Sequence, residues 1–149
     1  MLLAIDPGAH QGWALFNIKT HRLVHCGLGI VDHRDFRNVV DLDRCVIERP
    51  TLYKGGKARP ADVITLALRA GEAAGLVRAA WGVDAEYVEP RSWKGQVPKA
   101  EHNARTWALL KDDEKDQVTV CLKGIAPSKR NNVLDAIGLG LWAVGRQGR

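Results

Sequence analysis

Residues 2–16 read LLAIDPGAHQGWALF, and the fold is decided by how this stretch is read. Leu2 to Ile5 form an apolar run without polar interruption, which predicts a strand built for burial. The run stops on one carboxylate, Asp6, and Pro7-Gly8 turns the chain at once. A second light run, Gly12 to Phe16, then begins. A carboxylate in apolar surroundings is costly unless it is paired or bound to a metal, and otherwise it takes up a proton. Asp6 therefore needs an explanation.

Working outward, residues 2–6, 11–18 and 22–31 read as three strands with turn signals at PGAHQ and KTH, an antiparallel meander. RCVIE (44–48) is a short buried strand. RPTLYKGGKARP (49–60) is a loop rich in proline, glycine and cations. Pro60 is placed to start a helix whose period runs to about Trp81. AEYVE (85–89) reads as a strand, RSWKGQVP as a loop and KAEHNARTWALLK as a helix. DDEKDQVTVCLKGIAP is either a short helix or an ordered loop, and a last helix covers about Asn131 to Gly145. No internal repeat or low-complexity segment is visible. This order predicts an α/β fold, one mixed sheet covered by helices, and 149 residues suit one domain over 1–149.

The composition, 46% apolar and 26% charged, is that of a soluble globular protein. Lysine and arginine total 22 against 17 acids, a net +5 that permits a nucleic-acid partner without establishing one. Cys26, Cys45 and Cys121 are odd in number and lack CxxC spacing. They read as buried small hydrophobes in a reducing cytoplasm. His10, His21, His25, His33 and His102 have no zinc-finger spacing. The N-terminal apolar run meets Asp6 too soon for a signal peptide. The longest apolar stretch, Val133 to Val144, is broken by Asp135 and too short to span a bilayer. A cytoplasmic protein is expected.

The pattern of Asp6 appears twice more. Glu48 ends the run CVI, and Asp135 is the only charge between Val133 and Val144. Any one of these acids alone reads as a cap or a buried ion pair. Together they read as a cluster, because strand C-termini are where α/β sheets present ligands, and the last helix can pack beside them. Carboxylates without nearby cations in sequence suit hard divalent ions, Mg²⁺ above all. Mg²⁺ in turn suits phosphate chemistry, where paired ions activate water and steady the leaving oxygen.

IDPG (5–8), the strand-final Glu48 in VIERP and NNVLDAIGLGLW (131–142) resemble the RuvC-type Holliday-junction resolvases of the ribonuclease H-like superfamily. In compactness the chain looks like the small phage and prophage members. The resemblance implies a ribonuclease H-like fold: a mixed five-stranded sheet, antiparallel meander first and parallel strands after, flanked by helices. It implies a Mg²⁺-dependent crossover junction endodeoxyribonuclease, with Mn²⁺ able to substitute, that hydrolyses phosphodiesters with two metal ions. Asp6, Glu48 and Asp135 match the family's metal-binding carboxylates. The family commonly has a further Asp or His three residues before the last Asp. Asn132 stands there instead, as a neutral oxygen ligand or, on the alternative reading, as a helix N-cap.

Lys94 and Lys99 match the family's basic positions beside the scissile phosphate, where they would offset developing charge. Tyr53 is the aromatic that would stack at the junction crossover. Lys54, Lys57 and Arg59, with Lys129 and Arg130 before the last helix, are the expected DNA contacts; each also reads as a merely solvated cation. The small residues Gly71, Ala73, Ala74 and Gly75 suit the family's homodimer helix, here 61–81, or a helix lying close to its own sheet. Glu72 on that helix reads as a surface acid or a further neighbour of the metal site. The expected partner is four-way branched DNA, with no membrane. Two rival functions remain: a ribonuclease H-like nuclease for forks, flaps or RNA–DNA hybrids, and a branched-DNA binding module whose chemistry has weakened.

Overall fold

The structure, a computed structural model, describes residues 1–31, 41–53 and 58–147. Five strands, β1 (Leu2–Asp6), β2 (Gly12–Asn17), β3 (Arg22–Leu28), β4 (Arg44–Glu48) and β5 (Ala85–Val88), form one sheet in the order β3-β2-β1-β4-β5. β1, β2 and β3 are antiparallel neighbours, while β4 pairs parallel with β1 and β5 parallel with β4. The expected mixed sheet, meander first and parallel strands after, is what forms.

Both faces of this sheet are covered, which explains why β1 and β4 read as unbroken apolar runs. Leu3, Ile5, Cys45 and Ile47 pack against Ala70, Ala73 and Val77 of helix α1 (Pro60–Trp81). Leu2, Ala4 and Val46 point the other way, into a core shared with Val133, Ala136 and Ile137 of helix α5 (Arg130–Ala143). Pro60 opens α1 as expected, and Gly82, at φ 70°, closes it by donating its N–H to the Arg78 carbonyl.

Between β5 and α5 lie α2 (Pro90–Trp93), α3 (Lys99–Leu109) and α4 (Asp112–Lys123), with a 3₁₀ turn at Pro127–Lys129. α2 is a single turn inside the stretch expected to be a loop, closed by a 2.9 Å bond from the Lys94 N–H to the Pro90 carbonyl. Helix α5 is buried nearly throughout its length. A Cβ on Gly140 would lie 2.1 Å from the Phe16 ring, and one on Gly138 2.9 Å from His102 and Thr106. Only glycine lets this helix approach the sheet and α3 so closely.

The stretch DDEKDQVTVCLK, ambiguous in sequence, is the helix α4. Its anchor is Glu114, an acid that is 1% exposed. Its carboxylate accepts hydrogen bonds from Arg146, from the Leu23 N–H and from the Lys111 N–H, each at 2.8 Å, and from Arg22 at 3.2 Å. Burial alone would push this carboxyl up, but the bonds from Arg146 and the two amides outweigh it and hold it at about 2. A depressed carboxyl stabilises the fold above its unfolded value of 4.5 and loses that contribution as pH falls toward 2. Glu114→Gln is therefore expected to cost about 3 kcal/mol at pH 7, because the mostly buried Arg146 guanidinium loses its carboxylate partner. It should also flatten the acid limb of the stability profile, as read by urea unfolding at several pH values. An unchanged acid limb would mean that Glu114 is not its source.

Candidate active site

Side chains alternate along a strand, so the residue two beyond Ala4, Asp6, shares its face, and Glu48 shares the face of Val46. Both therefore lie on the α5 side. The parallel register pairs Ile5 with Ile47, which brings Asp6 and Glu48 level at the C-terminal ends of adjacent strands. Asp135, 6% exposed, belongs to the buried face of α5. Three acids distant in sequence are thus gathered at one end of the sheet.

Their charges act on one another. Asp6 is pushed up to about 7, first by burial and then by the negative charges of Glu48 and Asp135, with Lys94 and Lys99 opposing. Glu48 is also raised, mainly by burial, although Lys94 works against this. The Trp93 indole N–H, buried without a hydrogen-bond partner among the described residues, lies close enough to Glu48 to favour its ionised form. Burial disfavours the Lys94 ammonium, but Glu48, Asp135 and Asp6 together outweigh that, and its pKa rises.

The acids are not free of cations, as their sequence surroundings had implied. Lys94 Nζ donates to Glu48 Oε2 at 2.8 Å, and Lys99 Nζ lies 3.1 Å from Asp135 Oδ2. Lys94 follows the α2 turn and Lys99 is the first residue of α3, so two short elements after β5 deliver both ammonium groups. Asn132 lies within α5, whose N-cap position is Lys129, so it does not cap the helix. Its Nδ2 donates instead to the His10 carbonyl, tying the PGAHQ turn to α5.

His102 is the neighbour that sequence reasoning missed. It is 2% exposed, with Nε2 3.6 Å from Asp135 Oδ1 and 3.5 Å from Thr106 Oγ1, and its ring meets Trp93 edge-on at 4.9 Å. Burial lowers its pKa, with the charge of Asp135 opposing. The available signal was its place three residues after Lys99 on a predicted helix, which puts both on one face.

The expected DNA contacts are differently placed. Tyr53 is half-buried, with the Arg91 guanidinium 4.0 Å from its ring centroid. Arg59 pairs with Asp62 at 2.9 Å, and Arg130 Nε donates to the Ile125 carbonyl at 2.9 Å. Lys129 is half-buried, and Lys54 and Lys57 lie outside the described residues. Glu72 and Arg69 of α1 line a cleft of about 400 Å³ with Gly8, Ala9 and His10. Arg69 donates to the carbonyls of Gly8 and Ala9 there, fastening α1 to the turn after Asp6.

The donor chemistry suits a hard divalent cation: carboxylate oxygens, partly buried and crowded enough to raise Asp6. Among the described residues, no three His, Cys, Asp or Glu side chains already form a group able to ligate one ion. Mg²⁺ keeps several of its own waters and so does not require such a preformed group.

No family model and no curated protein matches this chain. Solved structures do. Thermus thermophilus RuvC in complex with a Holliday junction substrate is similar over 99% of this chain and 95% of that one, with TM-score 0.55 and 16% identity. Fowlpox virus resolvase, solved with Holliday junction DNA, is similar over 97% and 98%, with TM-score 0.54 and 14% identity. A further T. thermophilus RuvC structure is similar over 97% and 93%, at 0.51 and 18%. The architecture is the ribonuclease H-like fold of RuvC.

Proposed function

We propose that this protein is a structure-selective DNA endonuclease that resolves four-way junctions by divalent-metal-dependent hydrolysis, acting in the cytoplasm through residues 1–149 as one nuclease domain. The observation that carries this reading is the convergence of Asp6, Glu48 and Asp135 at one end of the sheet with two lysines beside them. The fold, shared with resolvases solved on junction DNA, supports the same substrate class.

In this reading Asp6, Glu48 and Asp135 hold Mg²⁺, or Mn²⁺ in its place, with Asn132 as a neutral oxygen nearby. An ion held there would supply an acidified water as the nucleophile. Glu48, held by Lys94, orients that water. Lys99, with a side chain 55% exposed, is free to turn from Asp135 toward a phosphate and offset its developing charge. The two-ion version implied by the family needs enough negative charge for both ions, and Asn132 brings none. Tyr53, Lys54, Lys57, Arg59, Lys129 and Arg130 supply backbone and stacking contacts.

A homodimer through α1 completes the proposal. Ile64 and Leu68 on its outer face are 60% and 71% exposed, and Gly71 and Gly75 have open space above them. A two-fold pair would present two sites to opposed strands. Among the described residues, no helix is long and apolar enough to cross a membrane.

The test offers a four-way junction, a fork and an RNA–DNA hybrid with Mg²⁺ or Mn²⁺. Paired nicks at two-fold positions in the junction are expected. Preferential cutting of the fork or the hybrid would move the assignment to another ribonuclease H-like nuclease. Junction binding without cutting under either ion would leave only a binding module.

A further inference from the structure

The cation nearest the centre of the acid cluster is Lys94. Its ammonium donates to Glu48 at 2.8 Å and interacts with the charges of Asp135 and Asp6 as well. Only 27% of its side chain is exposed, against 55% for Lys99. Its position is built rather than incidental. The α2 turn closes on its own N–H, the carbonyl of the preceding Trp93 accepts from Gln147 Nε2 at 2.9 Å, and the ammonium lies 4.9 Å from the centre of the Trp93 ring. A lysine so tethered is a permanent part of the site's charge balance.

That balance sets how many metal ions the site takes. Three carboxylates and the fixed Lys94 ammonium leave two negative charges, the charge of a single divalent ion, and the half-exposed Lys99 ammonium, 3.1 Å from Asp135, reduces that further while it stays there. A second divalent ion would leave uncompensated positive charge in a partly buried site, which is strongly unfavourable. Asn132 adds no charge, and its amide nitrogen is already engaged with the His10 carbonyl.

Resting on the metal-dependent reading above, we propose that Lys94 is a built-in counter-ion standing in for a second metal, so that each chain binds one divalent ion. Lys94 then supplies from the protein the positive charge that a second ion would have brought to the reacting phosphate, and the site depends less on metal concentration.

Counting Mn²⁺ bound per chain to the full-length protein, by calorimetry and by electron paramagnetic resonance of the free ion, tests this without any turnover. One ion is expected for the wild type up to millimolar Mn²⁺. Lys94→Met should take a second ion, and Lys94→Gln should do the same should the methionine variant fold poorly. Lys94→Arg, which keeps the charge, should remain at one. Two ions in the wild type, or one in a folded Lys94→Met or Lys94→Gln protein, would overturn the counter-ion role. Failure of the metal reading itself looks different: no Mn²⁺ binding by the wild type, or binding that Asp6→Asn leaves untouched.

Discussion

Asp6→Asn is expected to lower metal-dependent junction cleavage by at least about a thousandfold, roughly 4 kcal/mol in the barrier. Junction affinity should stay within about twofold, because phosphate contacts, not this carboxylate, carry it. Among the described residues, Asp6 is the one member of the cluster without a lysine at ion-pair distance, since Lys94 serves Glu48 and Lys99 serves Asp135. It therefore bears the largest uncompensated charge. The same property predicts a gain in stability. Its carboxyl is raised from 3.8 to about 7, so in the metal-free protein its ionisation costs folding free energy progressively as pH rises through that window. Asparagine removes the penalty. The variant should match the wild type near pH 4 and exceed it by roughly 2–4 kcal/mol at pH 8 without divalent ions. Added Mn²⁺ should then raise the melting temperature of the wild type and not that of the variant. A variant that still cuts, or that melts with the wild type at both pH values, would remove Asp6 from the metal site.

The sequence made the three acids visible for a simple reason. A charge is conspicuous only against an apolar background, and β1, β4 and α5 are apolar because each is covered on more than one side. Glu114 is as deeply buried as any of them yet passed unnoticed, because it lies among Asp112, Asp113, Lys115 and Asp116. Helix α4 was ambiguous for the same reason: a residue holding it to the fold is an acid, not an apolar side chain with helical period. The lysine pairs were hidden by distance along the chain, as Lys94 lies 46 residues from Glu48. Their meeting depends on the parallel register and on the α2 turn, and neither is a local signal. His102 was similarly hidden, since Asp135, Trp93 and Thr106 come to it from three helices including its own.

The gathering of the acids depends on a glycine that takes no part in the chemistry. Gly12 pairs with Asp6 across the β1–β2 ladder. A Cβ there would lie 2.0 Å from the Asn132 carbonyl oxygen and 2.8 Å from the Val133 amide nitrogen. Both are backbone atoms in the first turns of α5, so no rotamer change can relieve the clash. Either the strand or the helix must move, and the helix carries Asp135. Gly12→Ala is thus expected to destabilise the protein by about 3 kcal/mol or more. In whatever fraction stays folded, it should also weaken Mn²⁺ binding, since Asp135 is carried away from Asp6. Gly124→Ala is the matching control: nothing lies within 4 Å of its added Cβ, and its φ of −81° suits alanine. It should stay within about 0.5 kcal/mol of the wild type. Urea unfolding of both variants, with a Mn²⁺ titration of each, separates a general loss of stability from a displaced helix. Wild-type stability in Gly12→Ala would show that α5 does not rest on β2 at this point, and the route by which Asp135 reaches the site would have to be drawn differently.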